Sequence, residues 1–261
     1  MDGTLLYENK ELPPTFFDVK KDLEALGIKF ILASGRQYAR MRTVVQPYAD
    51  DFIYITDNGT IVYEDGERIL EVTIDNQLSQ EIIQFTMDEM NTDHVINAVD
   101  AAYFLNGIDQ EIESTFNEFY EVRKFVDDFT QVKDVVKISL FDLKDEFTGH
   151  EKLEKFSDSV NITHSGPTWL DIVDKDISKG VALKKIAETH QVPLEQVMVF
   201  GDAMNDADML AVAGIGIIME NADERLKKLG YYMTKTNDED GVMIVLNELL
   251  KNKGDASWLT K

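Results

Sequence analysis

The 261-residue chain is 44% apolar and 10% aromatic, which places it among globular rather than disordered proteins, with length for one large domain or a core with a sizeable insertion. Its 49 acidic and 26 basic side chains leave a net charge of −23, which repels nucleic acid and anionic membrane, and no basic stripe offsets it. There is no cysteine, so disulfides and thiol-held zinc are excluded; His94, His150, His164 and His190 form no i, i+4 pair, so any metal is expected on oxygen ligands.

The chain opens MDGTLL, in which Asp2-Gly3-Thr4, taken alone, reads as a turn. FFDVKKDLEALG (16–27) places Phe17, Leu23 and Leu26 on roughly one face and ends in glycine, predicting a helix with its stop. The apolar run 28–34, a helix-like stretch at 37–46 and FIYIT (52–56) predict parallel strands covered on both faces, joined by a helix. The segment 60–74 alternates about Asp65-Gly66, a hairpin signal. From 76 to 167 amphipathic helices at 79–90 and 110–125 alternate with strands at 101–105 and 135–141, and a further strand is read at 168–173. This block is expected to be a separate α+β unit. Parallel character returns with a helix at 179–192, a buried strand at 196–202, another strand within 211–219 and a closing amphipathic helix at 241–250. The expectation is an α/β, doubly wound core of residues 1–75 and 168–261, interrupted by an inserted domain at 76–167. No apolar run reaches spanning length and no signal-peptide pattern is present, so the cytoplasm is the expected location.

In open α/β sheets ligands bind at the carboxyl ends of strands. Ser34-Gly35-Arg36 and Gly201-Asp202, followed by Asn205-Asp206, fall at such ends; Asp2-Gly3-Thr4 does so if a strand precedes it, and Lys179 opens a helix. Each has a plainer reading: a turn, a strand end with a helix cap, a solvated charge. GDAMNDADML is the most informative stretch. A calcium loop would need Asp or Asn at Met204, Gly at Ala207 and Glu at Ala213, and has none of them. Asp202 and Asp206 can instead face one point, which suits Mg²⁺ with room for water and phosphate oxygens.

In order and spacing, DGTLL, ILASGR, a long insertion, SKGVAL, VMVFGDAMNDADML and the late TNDEDGV resemble the haloacid dehalogenase superfamily, specifically its Cof-type sugar-phosphatase branch, over nearly the whole chain. The resemblance implies a Rossmann-like core, a cap domain in place of the insertion, and Mg²⁺-dependent hydrolysis of a small phosphorylated metabolite through an aspartyl phosphate. It implies that Asp2 acts as general acid and then base, with its backbone carbonyl on the metal. It makes Asp202 a metal ligand with Asp206 in support, and gives Ser34, Gly35, Asn205 and Lys179 the phosphoryl oxygens. The implied nucleophile, two positions before Asp2, falls ahead of Met1, as does the strand leading into it. Two explanations stand: a start placed too late, or a shortened, inactive relative. In either case the 261-residue polypeptide is expected to show little or no phosphatase activity. A non-catalytic binder of phosphorylated metabolites and a phosphomutase are the alternative functions. A monomer or weak homo-oligomer is expected, with neither nucleic acid nor membrane as partner.

Overall fold

The computed structural model describes residues 1–142, 150–166 and 168–259; residues 143–149 and 167 of the predicted insertion lie outside the described residues, as does the side chain of His150. The first part of the core runs α1 (Phe16–Glu24), β1 (Ile31–Ala33), α2 (Tyr38–Val44), β2 (Ile53–Thr56), β3 (Ile61–Glu64) and β4 (Glu67–Glu71). β1 and β2 pair in parallel, Leu32 opposite Tyr54, and the β3–β4 hairpin turns at Asp65-Gly66 as the sequence predicts.

The inserted unit follows: α3 (Asn76–Glu89), β5 (Asp93–Ala98), β6 (Ala102–Leu105), α4 (Gln110–Asn117), β7 (Arg123–Val126), β8 (Val135–Phe141), β9 (Val160–Gly166) and β10 (Trp169–Asp174). Its six strands form one sheet in the order β7-β6-β5-β8-β10-β9. The chain then returns to the core through α5 (Lys179–Thr189), β11 (Met198–Gly201), α6 (Ala207–Val212), β12 (Ile215–Met219), α7 (Glu224–Lys227), β13 (Tyr232–Thr234) and α8 (Gly241–Lys251), with β11, β12 and β13 parallel. Among the described residues no helix is long and apolar enough to cross a membrane.

The two core sheets share both of their hydrophobic layers. On one side Phe16 and Leu23 of α1, Met41 of α2 and Leu246 of α8 pack on Leu32, Tyr54 and Met219. On the other, Leu183 and Ile186 of α5 and Leu210 of α6 pack on Ile53, Ile55, Val199 and Ile218. Helices on both faces of parallel strands make this the expected α/β core. Residues 1–6 form a turn in which the Met1 carbonyl accepts from the amides of Thr4, Leu5 and Leu6.

Two sequence expectations need correction. The strand at 169–174, which a boundary at 168 assigns to the core, lies inside the cap sheet: Asp171 is in register with Ser139 of β8 and with Thr163 of β9. The helix predicted over 110–125 stops at Asn117, and residues 123–126 pair in parallel with β6. Its continuing apolar spacing has a different origin, because Phe119 and Tyr120 pack against Trp169.

Because alternate residues of a strand face opposite ways, the cap sheet divides by chemistry. Ile96, Ile138, Leu140, Leu170 and Ile172 join α3 residues in an apolar core. Asn97, Lys137, Ser139, Asp171 and Ser165 occupy the other face, which meets the α/β core.

Candidate active site

Four segments meet at the carboxyl ends of the core strands. Directly after β1 comes Ser34, whose amide donates to the Ile55 carbonyl at 2.9 Å and whose Oγ accepts the Arg36 amide at 3.1 Å. The Arg36 guanidinium grips Asp2 with two bonds, at 2.6 and 2.5 Å. Directly after β11 comes Asp202, which accepts a short hydrogen bond from the Thr4 hydroxyl. Asn221, beyond β12, donates to the Gly3 carbonyl at 2.8 Å. The opening turn is thereby tied to the ends of three strands, and Asp2-Gly3-Thr4 belongs to the site.

Lys179 is the first residue of α5, behind an N-cap formed by Ser178, which accepts the Val181 amide. Its ammonium is buried and lies 2.7 Å from Asp206 Oδ1, while Asp206 Oδ2 accepts the amides of Asp202 and Ala203 at 3.0 and 3.3 Å. Burial works against the charge on Asp206, but Lys179, the Met1 ammonium and the Asp202 amide outweigh it and hold the carboxyl below its ordinary value. Asp202 goes the other way: burial, with Asp206 beside it, pushes its carboxyl up to about 6. Asp2 is opposed by burial, yet Arg36, the Met1 ammonium and Lys10 bring it down to about 2.

All seven predicted site residues therefore gather at one end of the core, but in unequal roles. The carboxylates of Asp2, Asp202 and Asp206 turn to Arg36, Thr4 and Lys179 respectively, and among the described residues no cluster of three acidic or histidine side chains is arranged to hold a metal ion. The donor set still fits Mg²⁺, which needs only one or two carboxylates and keeps several waters. Asp202 is a half-buried carboxyl that, among the described residues, pairs with no cationic side chain, the electrostatic deficit a divalent cation would relieve.

The sequence reading missed the turn Asp57-Asn58-Gly59 that follows β2. All three residues have positive φ (47°, 61° and 104°), a strained run of the kind that gathers at functional sites. Asn58 is a hub. Its amide donates to the Ser34 carbonyl, its Nδ2 donates to Asp171 of the cap at 2.6 Å, and its Oδ1 accepts from Asn205 at 3.0 Å. The available signal was an Asn-Gly pair directly after a buried strand. From the cap, Phe119 lies 5.3 Å from the Arg36 guanidinium and packs edge-on to Trp169, which sets an aromatic wall beside the site.

Asp57 shares the elevation of Asp202: burial drives it up to about 6 against the pull of Lys137. Unfolded aspartates titrate at about 3.9, so these two groups hold extra protons between about pH 4 and pH 6 in the folded protein, and their contribution to stability rises as the pH falls through that window. Asp2 has the opposite sign, contributing stability above about pH 4 that is lost as the pH falls toward 2. Burial holds His94 down to about 4 and works the other way, so the Asp57 contribution is read as a difference: from about pH 8 to about pH 5 the metal-free wild type is expected to gain melting temperature relative to Asp57→Asn. A melting-temperature difference between the two proteins that stays constant from about pH 8 to about pH 5 would contradict this.

A family profile described as haloacid dehalogenase-like hydrolase matches residues 1–246. The chain is 24% identical over 257 residues to the 5-amino-6-(5-phospho-D-ribitylamino)uracil phosphatase YbjI of Escherichia coli (strain K12), covering 97% of this chain and 95% of that one. It is 28% identical over 244 residues to the 5-amino-6-(5-phospho-D-ribitylamino)uracil phosphatase YcsE of Bacillus subtilis (strain 168), covering 93% and 90%. Among solved structures, SMU.1108c from Streptococcus mutans UA159 aligns with a TM-score of 0.90 at 26% identity, covering 96% of this chain and 97% of that one.

Proposed function

Because the chain belongs to the haloacid dehalogenase-like hydrolases, in their Cof-type phosphatase branch, we propose that it is a Mg²⁺-dependent phosphatase acting on small phosphorylated sugars or polyols. The observation that carries this reading is the meeting of Lys179, Asp202, Asp206, Ser34 and Asn205 at the ends of β1 and β11. The Ser34 hydroxyl, the Gly35 amide, the Asn205 side chain and the Lys179 ammonium are the donors for a transferring phosphoryl group. Asp206 keeps Lys179 charged and in place, ready to stabilise charge on the phosphoryl oxygens as bonds to phosphorus stretch. When bound, Mg²⁺ would be held by Asp202 and the Asp2 carbonyl with Asp206 in support, and would neutralise the negative charge of the ester.

Asp2 is the proton-handling group. With Arg36 holding it ionised it is ready to act as a base, and donating a proton to a leaving oxygen requires that grip to loosen when substrate enters. The leaving group would lie against the polar cap face, where Asn97, Ser139, Ser165 and Asp171 suit a hydroxylated molecule. The names of YbjI and YcsE, whose substrate carries a phosphoribityl chain, support that choice.

The aspartyl-phosphate route draws its nucleophile from the position two residues before Asp2, so turnover is assayed on protein carrying an aspartate there. Phosphate release from a panel of monoesters is expected to favour sugar and polyol phosphates over p-nitrophenyl phosphate, to stop with EDTA and to return with Mg²⁺. Release that persists in EDTA would refute the metal dependence. Phosphate binding without turnover on any ester would favour a binding protein.

A further inference from the structure

Lys137 stands in the middle of β8, a strand buried along its whole length, and its side chain is only 2% exposed. A buried ammonium is costly unless it is paired and hydrogen-bonded. Its partners come from both sides of the seam between cap and core. Nζ donates to the Gly35 carbonyl at 2.6 Å, and it lies 3.8 Å from Asp57 of the core and 3.9 Å from Asp171 of the cap. Asp57 Oδ1 is buried with no hydrogen bond, so this ammonium is its compensation.

The Gly35 carbonyl is a consequential partner. Gly35 sits between two peptide planes, and both are held from outside. On the first, the Ser34 carbonyl accepts the Asn58 amide at 3.2 Å. On the second, the Gly35 carbonyl accepts Lys137 while the Arg36 amide donates to Ser34 Oγ. The Gly35 amide, the loop's own donor for a phosphoryl oxygen, lies in the first plane; holding the second as well fixes the backbone rotation at Gly35 between them and keeps the loop in one conformation. One of these restraints is carried by the cap and is present only when the cap is seated.

We propose that Lys137 is a positioning residue, a strut through which the seated cap sets the phosphate-binding loop at Ser34-Gly35. It does not touch the phosphoryl group itself. The inference rests on the reading of Ser34 and Gly35 as phosphate-binding residues. Substrate that seats the cap thereby also completes the loop, so binding energy from the leaving group improves the grip on phosphate.

The test uses inorganic phosphate as the probe, titrated calorimetrically in the presence of Mg²⁺, together with NMR hydrogen exchange of the Arg36 amide. Four proteins are compared: wild type, Lys137→Met, Lys137→Met with Asp57→Asn, and Arg40→Ala. The double variant removes the strut without leaving Asp57 a bare carboxylate, which guards against a simple failure to fold. Arg40→Ala removes a different cap–core bond, to the Glu118 carbonyl, and leaves the Gly35 contact intact. Both Lys137 variants are expected to bind phosphate about tenfold more weakly and to exchange the Arg36 amide about tenfold faster, while Arg40→Ala matches wild type. Wild-type affinity and exchange in the folded double variant would overturn the proposal, as would equal losses in Arg40→Ala. If wild type binds no phosphate, the failure belongs to the reading of the site, and Arg36 exchange alone then decides the role of Lys137.

Discussion

In protein carrying an aspartate two positions before Asp2, Lys179→Met is expected to lower turnover by about 10²–10³-fold, the usual loss when one preorganised charge is withdrawn from a developing anion. It is also expected to destabilise the fold by about 3 kcal/mol, near the lower end for breaking a buried ion pair. The lower end applies because Asp206 retains the amides of Asp202 and Ala203 when the ammonium is gone. The two effects separate in a second variant. Lys179→Met with Asp206→Asn is expected to recover most of the stability in denaturant melts but none of the turnover, since the bare carboxylate is removed and the phosphate donor is not restored. Full turnover in the single variant would show that Lys179 is only a structural partner of Asp206.

Gly59→Ala is the larger structural perturbation. A β-carbon at residue 59, where φ is +104°, would stand 2.4 Å from the Ser178 carbonyl oxygen and 2.8 Å from the Lys179 amide nitrogen. Both are backbone atoms at the start of α5, so the clash is relieved only by moving the helix that carries Lys179. A loss of about 3 kcal/mol or more is expected, with phosphate affinity reduced in step. Gly66→Ala is the control: φ is also positive there, at +79°, but no atom lies within 4 Å of the added carbon. That variant is expected to lose only about 1 kcal/mol. Equal losses at the two positions would mean that close packing against α5 is not what residue 59 provides.

The core was the more legible half of the chain. Short apolar runs ending in Ser34-Gly35 and Gly201-Asp202 carry strand and site together, because a parallel strand buried on both faces must stop where polar residues begin. Lys179 was found for a similar reason, as the opening residue of a helix. The cap was harder to read. Membership of its sheet depends on pairing between distant segments, and nothing in the local pattern of 168–173 says that β8 and β9 flank it. The hub at Asn58 and the strut at Lys137 join residues more than a hundred positions apart, which periodicity cannot report. A lone lysine within VVKISLF was still a mark of some buried partner, since a charge in a fully covered strand has to be matched.

The central claim is that Asp202 and Lys179 build a single site for a divalent cation and a phosphoryl group. Calorimetric titration of inorganic phosphate with and without Mg²⁺, in wild type and in Asp202→Asn, tests it most directly. The cation and the anion are predicted to strengthen each other's binding at least about tenfold in wild type, and the coupling is predicted to vanish in Asp202→Asn while the fold remains intact. Phosphate affinity indifferent to Mg²⁺, or coupling that survives Asp202→Asn, would contradict it.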